Sequence, residues 1–412
     1  MFACSRQGGG MSDHREPSAW RTLAAAGLAL ALAGCAPPAW EEVNEAAKAA
    51  HRAGRADEAE RGFRRALALA EKLGAENPRL VMSLNNLGEF YRSGGRLDLA
   101  VEHYARALAV RESILGPTAA ELGLSYYNLG THYDELGRTD DARRCYERAL
   151  GIREAELGAA SPGLIEVLNR LGLLHYMLGA YDDAAGSFER ALAIQRATSL
   201  ARSATIAIAL TNLAQVRSAQ ERHQEAEQLF GEALAIWRAN APPVSLEIAR
   251  AQKNQAEALA RVGRPEEAER LLRASIEIYS ALDGPSPQEV AETWNNLAVL
   301  YRSQQRLEQA EDAYRRALDL LEAGLGPSHA DLAVGLFNLG RLYVEQSRDA
   351  EAEPLFARAL AMYEATVGGD HPNTALLRRS YADLLRRTGR AAEADRLAPA
   401  AGPALERVAP GR

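Results

Sequence analysis

The 412-residue sequence predicts an all-α solenoid, a row of antiparallel helix pairs in which each pair stacks on the next. Three observations predict it. The first is a period. An alanine that opens a helical segment falls at Ala59, Ala100, Ala142, Ala184, Ala226, Ala268, Ala310, Ala352 and Ala394, with a first step of 41 residues and steps of 42 thereafter. Self-similarity at an interval of this size marks a repeat architecture. The second is a set of columns inside the period. Leu87, Gly88 and Tyr91 return as Leu129, Gly130 and Tyr133, as Leu297, Ala298 and Tyr301, and as Leu339, Gly340 and Tyr343. In the following segment Ala142, Tyr146 and Ala149 return as Ala310, Tyr314 and Ala317 and as Ala352, Phe356 and Ala359. Such spacing puts a large, a small and an aromatic residue on one helical face. Small residues at the crossing let two helix axes approach to about 8–10 Å. The third is punctuation: Gly54-Arg55, Gly95-Arg96, Gly137-Arg138, Gly263-Arg264 and Gly389-Arg390 separate the two segments of a pair. Glycine ends helices there because it accepts positive φ cheaply. One pair cannot bury both of its apolar faces, so the pairs must stack.

In chain order, the first forty residues stand outside the repeats. Met11, the start of translation that the pattern favours, opens a stretch with Arg15 and Arg21. An apolar run from Leu23 to Leu32 follows, and then Ala33-Gly34-Cys35. Ten apolar residues make a helix of about 15 Å, too short for a bilayer core of about 30 Å. A basic lead, a short apolar run and small residues describe a secretory signal over residues 1–34. Residues 35–40 are then a short tether with Pro37-Pro38. The first pair occupies 41–74, with a leading helix from about Glu42 to Ala53. Later pairs start near Leu80, Leu122, Leu164, Ile206, Ile248, Val290 and Leu332, which makes about eight repeats over residues 41–397. The connectors Ala241-Pro242-Pro243 and Gly284-Pro285-Ser286-Pro287 stop helices where the period ends. In the last segment Arg378, Arg379 and Ser380 replace the recurring apolar face, so 375–397 is expected to cap the array and 398–412 to form a frayed tail.

These columns resemble the tetratricopeptide repeat, and more narrowly its long, kinesin-light-chain-like form. The narrower match rests on the 42-residue period, on Leu84-Asn85-Asn86-Leu87, and on the connector Gly369-Asp370-His371-Pro372 with its variants Gly326-Pro327-Ser328-His329 and Gly116-Pro117. The resemblance implies a right-handed solenoid whose first helices line a concave groove. It also makes His329 and His371 structural residues of connectors. Leu32-Ala33-Gly34-Cys35 resembles a bacterial lipobox, which implies acylation at Cys35 and a lipid anchor; multiple acyl chains exceed the two-signal threshold for stable anchoring. Ala36, by resemblance to sorting in double-membrane bacteria, favours the outer membrane, facing the periplasm.

Composition bounds the partners. The chain is 47% hydrophobic and 25% charged, with a net charge of −7, which argues against nucleic acid as the main partner. Among its three cysteines, Cys145 is expected to be a half-buried packing residue beside Tyr146. No Gly-rich phosphate loop, His-Glu-x-x-His or Gly-x-Ser-x-Gly occurs, so no catalytic residue, cofactor or small-molecule substrate is expected. The acid pairs Asp182-Asp183 and Glu266-Glu267 read as charges facing a helix N-terminus. No plausible set of metal ligands is present.

The candidate binding surface is a pair of columns on the first helices. One reads Asn86, Asn128, Arg170, Asn212, Asn254, Asn296, Asn338 and Ser380. Asparagine is a mediocre helix former with no apolar area to contribute, so its recurrence is not explained by helix stability. Its amide both donates and accepts, which suits peptide main chain, and the family resemblance implies that role. The other reading is an asparagine bonded to the adjacent pair. The preceding column varies: Asn85, Tyr127, Asn169, Thr211, Lys253, Asn295, Phe337 and Arg379. Tyr127 and Phe337 would supply apolar pockets, Arg170 and Lys253 would meet acidic groups, and Arg170 between Asn128 and Asn212 fits a carboxylate clamp loosely. The expected function is a non-enzymatic protein-binding scaffold, lipid-anchored in a bacterial envelope. The alternatives are a cytoplasmic regulatory adaptor and a self-assembling envelope protein.

Overall fold

The computed structural model describes residues 39–198, 204–327, 329–366, 368 and 371–397. The expected signal, Cys35 and the tail 398–412 lie outside the described residues, as do Ser328, Gly369 and Asp370 of the connectors. The described chain is helical, with no strand among the described residues. It divides into two compact units, one running to Ile152 and the other starting at Arg153.

The first unit contains α1 (Trp40–Arg52), α2 (Ala56–Lys72), α3 (Pro78–Ser93), α4 (Leu97–Leu115) and α5 (Glu121–Glu135), and α6 (Thr139–Leu157) runs across its end. The second contains a 3-10 turn (Pro162–Leu164), α7 (Ile165–Met177), α8 (Tyr181–Ala197), α9 (Ala204–Ala219), α10 (His223–Asn240), α11 (Leu246–Arg261) and α12 (Pro265–Ala281). It continues with α13 (Pro287–Ser303), α14 (Leu307–Leu325), α15 (Asp331–Glu345), α16 (Asp349–Thr366), α17 (Pro372–Arg387) and α18 (Ala391–Leu397). Within each unit successive helices pack on one another, as the period requires.

The small and aromatic columns meet as their spacing predicts. A Cβ on Gly88 would stand 2.8 Å from the Tyr104 ring, on Gly130 2.8 Å from Tyr146, on Gly172 2.7 Å from Phe188, and on Gly340 2.6 Å from Phe356. Each of these four first helices therefore carries a ring of its own second helix against bare backbone, and Ala214, Ala256, Ala298 and Ala382 hold the position in other pairs. The helix-ending position is left-handed all along the chain, at Gly54, Gly95, Gly137, Gly179, Gly263 and Gly389, and at the non-glycines Glu221, Gln305 and Ser347. The next residue's N–H reaches five residues back, as Arg96 to Tyr91 (2.9 Å) and Arg306 to Tyr301 (2.9 Å), so the turn satisfies the carbonyls that end the first helix.

The arginine of that turn does more than the sequence reading assigned to it. Arg306 lies 4.2 Å from the Tyr301 ring centroid and donates to Glu269 of the preceding pair at 2.6 Å. Tyr301 donates its hydroxyl to the same carboxylate (2.9 Å), and Arg273 donates to Tyr301 (2.7 Å). Arg348, Tyr343, Glu311 and Arg315 repeat the arrangement, with Arg348 4.0 Å from the ring and 2.6 Å from Glu311. Arg96, Tyr91, Glu60 and Arg64 do so in the first unit. These clusters staple one pair to the next by charge-assisted bonds and a cation–π contact. The staple fails in the middle of the register. Ala185 stands where the glutamate should be, and Arg217 stands in the tyrosine column. Arg217 is buried and pairs instead with Glu189 and Glu225.

Three details depart from expectation. Trp40, assigned to the tether, belongs to α1: it is buried, and its indole N–H donates to Ser83 Oγ at 2.8 Å. Cys145 is fully in the core at 7% exposure, and burial pushes its thiol up to about 11. The last pair starts at Pro372 rather than 375 and docks like the others, burying Leu377, Ala382, Leu384 and Leu385, with Arg387 tied to Asp349 (3.0 Å). His329 and His371 accept the backbone N–H groups of Asp331 (3.3 Å) and Asn373 (3.2 Å), and His371 thereby caps α17.

Candidate functional site

The first helix of each pair carries the candidate columns, and the structure sorts them into three kinds. Some asparagines are bonded between pairs. Asn86 donates to Asn44 Oδ1 at 2.9 Å, and Asn338 donates to Asn295 Oδ1 at 3.0 Å. In both cases the later column of one pair bonds the earlier column of the pair before it, which is the structural reading of the column. Others make no side-chain hydrogen bond among the described residues: Asn212, Asn254 and Asn296 are half-buried, and Asn128 is exposed. Asn169 keeps a buried Oδ1 with no partner, so the rung it would share with Asn212 is unmade. Arg170 is half-buried on α7.

The third kind has left the surface. Tyr127 and Phe337, expected to line pockets, are each 8% exposed. Their rings pack against the second-helix rings of Tyr146 (5.5 Å) and Phe356 (5.7 Å). An aromatic at this position is drawn into the core because its apolar area is worth more there than in water. Lys253, expected to meet an acidic ligand, is already paired with Glu292 of the next pair at 2.6 Å. Beside it Arg250 pairs with Glu289, with an Nε to Oε2 distance of 3.0 Å. The charges of this segment answer one another, so a ligand would have to displace them.

A column that the sequence reading passed over stands one turn before the asparagines. Met82 (46% exposed), Leu124 (57%), Ile208 (52%), Val334 (40%) and Leu376 (38%) recur in the repeat register, with Glu166, Arg250 and Glu292 at the remaining positions. Four residues apart on a helix is one face, so an exposed apolar group and an amide are presented together. The signal was legible as a 42-residue periodicity of apolar residues. What could not be read was that this face remains uncovered.

In the first unit a cavity lies beside the asparagine column. It encloses about 270 Å³ between α3, α4 and α5, and its lining includes Asn85, Glu89, Tyr104, Arg111, Asn128 and His132. Glu89 accepts two bonds from Arg92 (2.7 and 2.9 Å) and one from the Tyr104 hydroxyl (3.0 Å). Arg92 above all holds its carboxyl below the usual range, while burial raises the Tyr104 phenol. His132 stacks on Tyr104 with ring centroids 4.4 Å apart. Asp182-Asp183 and Glu266-Glu267 lie in the first turns of α8 and α12, where Asp182 accepts from Gln220 (2.6 Å) and Glu267 from Arg264 (2.6 Å). Among the described residues no group of three His, Cys, Asp or Glu side chains is placed to hold a metal, and no helix is long and apolar enough to cross a membrane.

Comparison with known proteins places the chain in a family. The tetratricopeptide repeat profile matches residues 42–113, 79–155, 121–197, 205–281, 289–365 and 350–398. A search of the curated proteins finds no match. Among solved structures the chain is similar to the apo form of RapI, at 15% identity over 67% of this chain and 94% of that one, with a TM-score of 0.53. Aspartyl phosphate phosphatase F from Bacillus subtilis is similar at 16% identity, over 76% of its chain and 74% of this one, with a TM-score of 0.52. BtubC (BKLC) from P. vanneervenii is 25% identical over 58% of this chain and 94% of that one, with a TM-score of 0.46. At 15% and 16% identity the likeness to RapI and to phosphatase F speaks for the fold alone. The family match covers most of the chain in the register of the helix pairs, and the chain belongs to the tetratricopeptide repeat family.

Proposed function

We propose that the protein is a non-enzymatic scaffold that captures an extended or helical protein segment across its first helices, and that acyl chains on Cys35 tether it to a bacterial envelope, at the outer membrane facing the periplasm. The observation that carries the binding reading is the periodic exposure of Met82, Leu124, Ile208, Val334 and Leu376. Apolar side chains that recur at one position of the first helices, all but Leu376 one turn from an asparagine, are what a segment-binding surface presents: apolar contact for affinity and amides for the segment's polar groups. The partners are therefore protein segments rather than nucleic acid or a small-molecule substrate. The tether rests on the apolar run ending in Leu32-Ala33-Gly34-Cys35.

Two measurements test the two halves. Retention of an immobilised random-peptide library should fall at least tenfold when Met82→Glu and Leu124→Glu are combined, and unchanged retention would contradict the face. Labelling with a palmitate analogue should mark the wild type and not Cys35→Ala. An unlabelled soluble product would replace the envelope reading with the cytoplasmic adaptor, and concentration-dependent sedimentation without peptide retention would favour self-assembly.

A further inference from the structure

The asparagine columns of neighbouring pairs form rungs, and one rung stands open over a cavity. Asn86 closes a rung on Asn44, and Asn338 closes one on Asn295. Asn128 and Asn85 are the next rung after Asn86–Asn44, yet neither amide bonds a protein group, and both line the 270 Å³ cavity of the first unit.

The reason lies in the residues around them. Moving forward five repeats from this rung leads to the closed rung of Asn295 and Asn338. There Arg111 is replaced by Leu321, Ser125 by Gly335 and His132 by Leu342. Leu321 and Leu342 are buried. The same positions are therefore packed with apolar side chains in one place and lined with polar ones around a void in the other. His132 is the residue that breaks its column, which holds Phe90, Leu174, Val216, Leu300, Leu342 and Leu384 in other pairs, and a polar side chain in an apolar column is a local breach of the kind functional sites make.

The charges select the ligand. Glu89 is kept ionised by Arg92 at one side of the cavity. Arg111 lines it as well and spends one bond on Ser125 Oγ (2.7 Å), leaving its other N–H groups to donate. A cationic ligand group would sit beside Arg111 and meet a like charge, and an anionic one would have to lie against the Glu89 carboxylate, whose charge Arg92 already answers. A neutral group that both donates and accepts meets no such penalty, and it complements the two unmade amides. We infer that this cavity is a subsite for a side-chain primary amide, a glutamine or asparagine carried by the bound segment. The inference rests on the segment-binding reading proposed above.

The test uses the full chain and pools of amidated nonapeptides, random except for a central residue fixed as Gln, Glu, Lys or Leu. The Gln pool should be retained several-fold over the other three. Asn128→Ala should erase that preference without lowering the thermal midpoint, because the side chain is exposed and unbonded. Retention without a Gln preference, a preference for Glu or Lys, or a Gln preference that survives Asn128→Ala would overturn the subsite and leave segment binding standing. No retention of any pool would overturn both.

Discussion

Asn338 and Asn128 occupy the same position of the repeat and do different things. Asn338 is locked to Asn295, over a site packed by Leu321 and Leu342. Asn128 is exposed and unbonded, beside a void edged by Arg111 and His132. The asparagine is thus neither a binding residue nor a structural one by nature. The difference goes with two positions, one on the second helix of the preceding pair and one a turn along the asparagine's own helix: Leu321 and Leu342 in one place, Arg111 and His132 in the other. A repeat of this kind can convert a structural position into a binding position by exchanging two leucines for polar residues.

The comparison can be broken or sharpened experimentally. The largest effect is expected where the two regions agree. Both depend on a ring laid against a glycine, so Gly88→Ala and Gly340→Ala should each cost about 1–3 kcal/mol in chemical denaturation, since the added methyl would have to displace Tyr104 or Phe356. If either is silent, the small column is not what sets the packing.

Next is the staple beside the closed rung of the second unit. Hydrogen bonds from Arg306 first, and then from Arg273 and Tyr301, hold the Glu269 carboxyl at about 2 against a usual value near 4.5, with burial working the other way. A carboxyl depressed on folding contributes stability that is present above its unfolded value and lost as the pH falls towards its folded value. Wild type should therefore lose stability between about pH 4.5 and 2, and Glu269→Gln should flatten that part of the profile. At neutral pH the substitution should cost on the order of 1–3 kcal/mol, the range for hydrogen bonds to a charged group. An unaltered acid limb would remove Glu269 from the account.

A smaller effect of opposite sign is expected from copying the closed rung into the open one. Arg111→Leu combined with His132→Leu should raise stability by about 1 kcal/mol through added apolar burial, and should abolish any preference for an amide side chain. Destabilisation would mean that the polar lining holds the first unit together.

Much of this fold was legible, because a solenoid repeats its rules. The helix pairs and their glycine turns recur in register, as do the glycine columns that receive Tyr104, Tyr146, Phe188 and Phe356, so each residue is supported by its equivalents. The errors came where one residue type has two uses. Tyr127 and Phe337 share a column with Asn85, and a column read as surface at one repeat is core at another once an aromatic ring can reach its second helix. Lys253 looked available because its answer, Glu292, lies 39 residues away on the next pair. The arginines stand in the sequence after the left-handed residue of every turn within a pair except Gly179, which Ala180 follows. Their role emerges only when the tyrosine column and the glutamate column are brought together by stacking. The open rung depends on an absence of contact, which no pattern of residues reports directly.

The most direct measurement pairs Asn338→Ala with Asn128→Ala, each followed by thermal midpoint and by retention of the glutamine-centred pool. The account predicts opposite profiles. Asn338→Ala should cost about 1 kcal/mol, the worth of one hydrogen bond, and leave retention unchanged; Asn128→Ala should leave the midpoint unchanged and lose the retention. Equal destabilisation by both, with retention unaffected, would contradict it and make the whole column structural.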